Sequence, residues 1–288
     1  MLKFLPPLKI HAWGGLGSQL FAVSIANDLL KRFPGRRMRI VLHTGGVTHR
    51  FPEVVSLFPR YKFGYTDDYR LDNSSQLSSR RQFSGQVRNF LRNVSRILSL
   101  VETANNDFEF KRVKFWTLSL RGHYSYRTIP VDFYFQLDRS IKEVVANHST
   151  GLSDTCAIHY RLGDLLTLQE KKPLPVTLII QELNKVKKEY HLENFQIFSD
   201  SPNIALERLS SLGSKLLSAP SKNSLEVIDN SVHAKYFVGT SSKISFWIAG
   251  LRASVHGLPS SLPIGNQREY EGLFVEVNKF VKGYPRNN

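Results

Sequence analysis

Short apolar runs alternate with longer stretches of helical period along most of this chain, and that alternation predicts an α/β protein. Residues 9–13 (KIHAW) read as a strand, 14–17 as a glycine turn, and 18–33 as a helix with Leu20, Val23, Ala26, Asn27 and Leu30 along one face. Ser18 stands where a capping hydroxyl would serve, and Phe33-Pro34-Gly35 stops the helix. Residues 39–43 (RIVLH) form the next strand, so the chain opens as a parallel, doubly wound sheet does. Between 44 and 150 the periods are mixed. A strand is expected over 114–120, followed by a polar, aromatic loop from Arg121 to Tyr126 that either stacks on and hydrogen-bonds a sugar or is a surface loop with its tyrosines packed on their neighbours. Beyond 153 the alternation returns. Strands are expected at 155–160, 195–199, 215–218 and 236–239, and helices at 175–190, from 200, at 224–233, 241–251 and 270–281. The expected division is two α/β domains, 1–150 and 151–288.

One helix stands apart. Over 86–101, Val87, Phe90, Leu91, Val94, Ile97 and Leu98 follow a helical spacing, while Arg88, Arg92 and Arg96 recur every four residues. Such a helix either packs on a core with a solvated basic face or lies on an anionic membrane surface. The net charge of +15 adds attraction to polyanions without choosing among nucleotide sugars, lipid surfaces and nucleic acid. No apolar run is long enough to cross a bilayer, and the first seven residues are too short and too soon broken by proline for a signal peptide. The expected location is cytoplasmic, with peripheral contact at the inner face of a membrane. A single cysteine, Cys156, excludes an internal disulfide or a cysteine-built metal site, and its place inside a strand predicts a buried, inert thiol.

The stretch with most chemistry is Cys156-Ala-Ile-His159-Tyr-Arg161-Leu-Gly163-Asp164. An apolar strand runs into an imidazole, a guanidinium and a carboxylate around a glycine. In open α/β sheets ligands bind at that end of the strands. Arg161 offers a planar fork of donors suited to phosphate, or else pairs with Asp164 to close a strand–loop corner. Three further segments accompany it: Gly14-Gly15-Leu16-Gly17-Ser18-Gln19-Leu20-Phe21, Phe195-Gln-Ile-Phe-Ser-Asp200, and residues 237–251 (FVGTSSKISFWIAGL). A glycine loop opening a helix is an anion site in principle, and on its own also serves plain tight packing.

Taken together, in this order, the four segments resemble the boxes of the α1,2-fucosyltransferases, glycosyltransferase family 11. The family patterns are G-G-L-G-N-Q-(M/L)-F, H-x-R-R-G-D-Y, F-x-(V/I)-F-S-D and F-I-x-x-N-S-S-F-S-W-W-x-A-x-L. The resemblance spans roughly residues 8–255. The chain departs from it at Ser18, Leu162, Leu165, Ser241, Lys243 and Phe246. The resemblance implies two Rossmann-like domains facing a cleft (GT-B-like), with an acceptor side in the first and the nucleotide-sugar site in the second. It implies an inverting transfer of a sugar, fucose by analogy, from a GDP-sugar to a hydroxyl of a glycan or lipid-linked oligosaccharide. No metal or other cofactor is expected. The residues carried over are Arg161, Asp164 and His159 as catalytic, with Gly15, Gly17, Ser18, Gln19, Asp200, Ser241 and Ser242 binding the donor. Trp247, Ile244 and Ile248 read as helix core.

Two alternatives remain at this point. The donor can be another GDP-hexose, which Leu162 and Lys243 favour. The chain can instead be a basic nucleic-acid-binding protein using the arginine helix. The absence of a recognisable DNA- or RNA-binding motif argues against the latter.

Overall fold

The computed structural model describes residues 5–45, 51–67, 98–145, 154–166, 173–213, 215–219, 223–240 and 242–263, without the side chain of Asp164. The chain divides into two compact units, Met1–Ile129 and Pro130–Asn288.

The first unit runs β1 (Leu8–Trp13), α1 (Leu16–Arg32), β2 (Met38–His43), α2 (Val54–Leu57), β3 (Phe63–Thr66), β4 (Val101–Thr103), α3 (Asp107–Arg112) and β5 (Ser119–Arg121). The strands form one sheet in the order β3-β2-β1-β5-β4, every pair parallel. Leu8, Ile10 and Ala12 of β1 and Ile40 and Leu42 of β2 are buried. Helix α1 adds Leu16, Leu20, Phe21, Val23 and Ile25, all inaccessible to water, which supplies most of the burial energy of this layer. The helix starts earlier than the sequence suggests. Gly14 sits at φ +100, a left-handed conformation that costs a glycine little, and turns the chain so sharply that α1 begins at Leu16 with Gly15 as its N-cap. Ser18 therefore lies inside the first turn and does not cap it. The strand expected over 114–120 shortens to Ser119–Arg121. Thr117 N donates to Lys114 O (3.0 Å) and Lys114 N to Thr117 Oγ1 (3.0 Å), closing a turn instead.

The second unit runs α4 (Val131–Val144), β6 (Thr155–His159), α5 (Val176–Tyr190), β7 (Asn194–Phe198), α6 (Pro202–Leu209), β8 (Lys215–Ser218), α7 (Ser224–Val232), β9 (Tyr236–Gly239), α8 (Lys243–Leu251) and β10 (Ser260–Ser261). Its strand order is β10-β9-β6-β7-β8, again all parallel. The first strand lies in the middle, the next two on one side and the last two on the other, which is the Rossmann order. The α/β class with two Rossmann-like sheets is thus as the sequence predicts. A boundary at 150 would put α4 in the first unit, but it belongs to the second. There Trp247 of α8 meets the rings of Phe133 and Tyr134 (centroids 5.8 Å from each). Gly250 lets α8 approach that closely, because a Cβ there would strike the Tyr134 ring at 2.5 Å. Trp247 and Ile248 are core, as expected. Ile244 is only partly covered.

A second tie was not foreseen. Arg252, fully buried, donates to the carbonyls of Ser231, Val232, Ala234, Lys235 and Pro259 and to Ser260 Oγ. It satisfies the last carbonyls of α7 and joins them to the start of β10. Burial pulls its pKa down to about 9.

Most of the arginine helix expected over 86–101 and all of the helix over 270–281 lie outside the described residues. The former cannot reach its expected end, since residues 98–100 form a turn and Val101–Thr103 is β4. Cys156 is buried in β6 and its thiol pKa is pushed up by burial, so it is the inert group expected.

Candidate functional site

In the second sheet β6 and β9 are neighbours from which the chain winds in opposite directions, so the switch point lies between their carboxyl ends. His159 ends β6 and Gly239 ends β9, and the two are register partners. Thr240 joins the ends. Its N–H (3.0 Å) and hydroxyl (3.1 Å) both donate to His159 O, and the same hydroxyl accepts from Arg161 N (3.0 Å). Arg161 leaves this junction half-buried. Sequence reasoning missed Thr240, although it lies inside the segment singled out. Strand register brings it to Arg161, and register is not written in one segment.

His159 Nδ1 lies 2.7 Å from Ser245 Oγ, a fully buried hydroxyl on the first turn of α8. Burial pulls the imidazole pKa down to about 4; Asp200 opposes the shift and Arg161 reinforces it. The ring is therefore neutral near pH 7, and Nδ1 is committed to the serine. Gly239 is small of necessity, since a Cβ there would meet Ser245 Cβ at 2.6 Å and Leu262 Cδ2 at 2.5 Å. That close approach lets the start of α8 sit against the end of β9.

Asp200, one residue past Ser199 at the end of β7, turns back to the Arg161 loop. Its Oδ1 accepts from Leu162 N (2.8 Å) and Gly163 N (2.8 Å). A Cβ on Gly163 would collide with the same carboxylate. Asp200 thus shapes the loop by holding its amides. Leu162 is fully buried and Leu165 nearly so, with Leu162 in the cluster of Ile158, Tyr160 and Ile179. An apolar residue at 162 suits that position, where the family pattern has a second arginine. Asp164 lies in the 3₁₀ turn Gly163–Leu166, with its side chain undescribed, and Ser241 lies outside the described residues. Ser242 is the N-cap of α8, its Oγ accepting from Ile244 N (3.2 Å). The rim therefore assembles His159, Arg161, Thr240, Ser242 and the start of a nine-residue helix. An arginine, a neutral imidazole and a helix start are the kinds of group that bind an anion such as a diphosphate.

In the first sheet the glycine turn follows β1. Gln19, nearly fully buried, donates from Nε2 to Gly14 O (3.2 Å) and Phe51 O (2.9 Å), and its Oε1 accepts from Val54 N (3.3 Å). Its amide is spent on main chain, so it shapes the turn. Gly17 is buried in α1, Gly15 has open space where a Cβ would be, and Ser18 is half-buried. Tyr124, read as part of a sugar-holding loop, is buried and donates to His11 O (2.7 Å) and Leu120 O (2.9 Å). Three rings cluster beside it: His11 Nδ1 lies 2.9 Å from His43 Nε2, and Trp13 stacks on His43 at 4.3 Å. Burial, helped by His43, Arg121 and Lys9, brings the His11 pKa down to about 4.

Among the described residues no group of three His, Cys, Asp or Glu stands close enough to hold a metal ion, and no helix is long and apolar enough to cross a membrane.

No family model and no curated protein sequence matches the chain. Solved structures do. POFUT1 in complex with GDP is similar at 11% identity and TM-score 0.39, over 90% of this chain and 98% of that one. POFUT1 in complex with GDP-fucose is similar at 10% and 0.42, over 91% and 99%. The E. coli heptosyltransferase WaaC with ADP-2-deoxy-2-fluoro heptose is similar at 12% and 0.48, over 90% and 91%. At such identities and scores none of these likenesses assigns an activity to the chain.

Proposed function

We propose that the protein is an inverting glycosyltransferase that takes a sugar, fucose in the first instance, from a GDP-sugar. The acceptor is a hydroxyl of a glycan or lipid-linked oligosaccharide, used in building a surface polysaccharide. The observation that carries this reading is the convergence of Arg161, His159 and the start of α8 at the switch point of the second sheet, on the motifs that resemble family 11.

In this reading Arg161 and the first amides of α8 meet the diphosphate and stabilise the charge that develops as it leaves. No metal is required. His159, neutral and oriented by Ser245, bonds the donor through Nε2. Asp164 stands on the turn beside Arg161 and is the candidate for receiving the acceptor proton. Direct displacement at the anomeric carbon inverts its configuration. Gly15, Gly17, Ser18 and Gln19 are donor-binding residues by the resemblance to family 11 alone. Asp200 serves the donor by shaping the Arg161 loop.

A second donor, another GDP-hexose, is favoured by Leu162, whose burial leaves Arg161 as the only arginine of its loop. The test is to incubate the protein with GDP-fucose or GDP-mannose and a panel of glycan acceptors, with and without EDTA. GDP release that depends on acceptor, ignores EDTA and yields a product of inverted anomeric configuration supports the reading. Absence of acceptor-dependent GDP release from both donors, or a retained configuration, defeats it.

A further inference from the structure

The turn that replaces the expected strand before β5 displays bare apolar side chains. Leu98, Phe115 and Trp116 are 54%, 44% and 40% exposed. They form one patch, because Trp116 Nε1 donates to Leu98 O (3.0 Å) and the Phe115 and Trp116 rings meet edge to face at 4.9 Å. The indole's polar edge is thereby satisfied within the protein, and the rest of the ring is left apolar.

This display is held rigidly. Arg36, almost fully buried, donates from Nε to Phe115 O (2.9 Å) and from Nη2 to Thr117 O (3.1 Å). Thr117, fully buried, donates from Oγ1 to Ser99 O (2.9 Å). A buried guanidinium and a buried hydroxyl thus fix the turn that presents the rings, so no side-chain rearrangement is needed to expose them.

Basic side chains outnumber acidic ones around the patch, and Arg32 joins them by donating to Phe110 O and Lys111 O. Lys111, Arg112 and Lys114 are exposed. Two carboxylates, Asp107 and Glu109, share helix α3 with Lys111 and Arg112. Asp107 accepts from Thr128 N and Oγ1, and Glu109 Oε2 accepts from Asn105 N.

We infer that this face docks on an anionic lipid surface, with Phe115, Trp116 and Leu98 entering the headgroup region and the basic residues facing the lipid charge. A second copy of the chain is the poorer occupant. Two such faces would repel, and three side chains fall well short of the roughly 1,200–2,000 Å² that a stable interface buries. The inference stands on this turn and not on the identity of any donor.

The test uses the full chain with vesicles of phosphatidylcholine alone or mixed with phosphatidylglycerol. We expect sedimentation with the anionic vesicles only, weakened by added salt. Phe115→Ser with Trp116→Ser should lower the partition coefficient by about ten-fold or more. Lys111→Glu with Lys114→Glu, which keeps the aromatics, should lower it comparably. Brominated lipid should quench part of the tryptophan emission of the wild type, and that part should vanish in Trp116→Phe, a variant that disturbs the turn least. Equal binding to neutral vesicles, binding unchanged in both double variants, or no quenching assignable to Trp116 would overturn the inference. So would a dimer in lipid-free sedimentation that the same substitutions abolish.

Discussion

Asp200 and Gly163 are fitted to each other: the carboxylate accepts from the glycine N–H at 2.8 Å and fills the space where a Cβ would stand. The contact ties the end of β7 to the loop that carries Arg161. Gly163→Ala must push the carboxylate away from both amides it holds. We expect a loss of about 1–3 kcal/mol of stability, read as a lower Tm, with weakened nucleotide binding beside it. Asp200→Asn, which retains an acceptor oxygen, should keep more of both than Asp200→Ala.

Acid should unfold the protein through its neutral histidines. His159 and His11 titrate at about 4 in the fold and near 6.5 when unfolded. Between those values the unfolded chain binds more protons. Their contribution to stability is therefore complete above about pH 6.5 and is lost as pH falls towards 4, at about 1.4 kcal/mol per pH unit for each. Denaturant melts across pH 7 to 4 measure the slope. Replacing His159 by Gln should lower the slope, and an unchanged slope would show that the imidazole is not held neutral.

Gln19 separates a structural role from a binding one. Gln19→Ala leaves the buried N–H of Val54 without its acceptor and the carbonyls of Gly14 and Phe51 without their donor. We expect a loss of about 2–3 kcal/mol in stability by urea unfolding. Nucleotide affinity, measured at a temperature where the variant is folded, should fall only as far as the Gly14–Ser18 turn loosens. A large loss of affinity with unchanged stability would instead place the amide on the ligand.

The sequence made the elements that carry chemistry readable. The apolar run of β6, the glycine turn after β1 and the serine start of α8 each announce themselves locally, because strand burial, left-handed glycine and helix capping are local rules. What escaped was everything set by pairing at a distance. Thr240 reaches Arg161 only through the β6–β9 register. Asp200, read as a donor-binding residue, holds backbone amides of a loop 37 residues before it. The buried clamps Arg36 and Arg252 look like any other surface base in a chain of net charge +15. Tyr124 looks like a loop aromatic until β1 supplies the carbonyl it bonds. Helix α4 groups with the second unit through partners more than 100 residues further on, Trp247 among them.

We propose that Arg161 and the switch point of the second sheet hold a guanosine diphosphate. Calorimetric titration with GDP, UDP, CDP and ADP, on wild type and on folded Arg161→Ala, measures this. GDP should bind at least about ten-fold tighter than the others, and the substitution should weaken it by about 100-fold. Equal affinity for all four nucleotides, or GDP bound by Arg161→Ala as by the wild type, would contradict it.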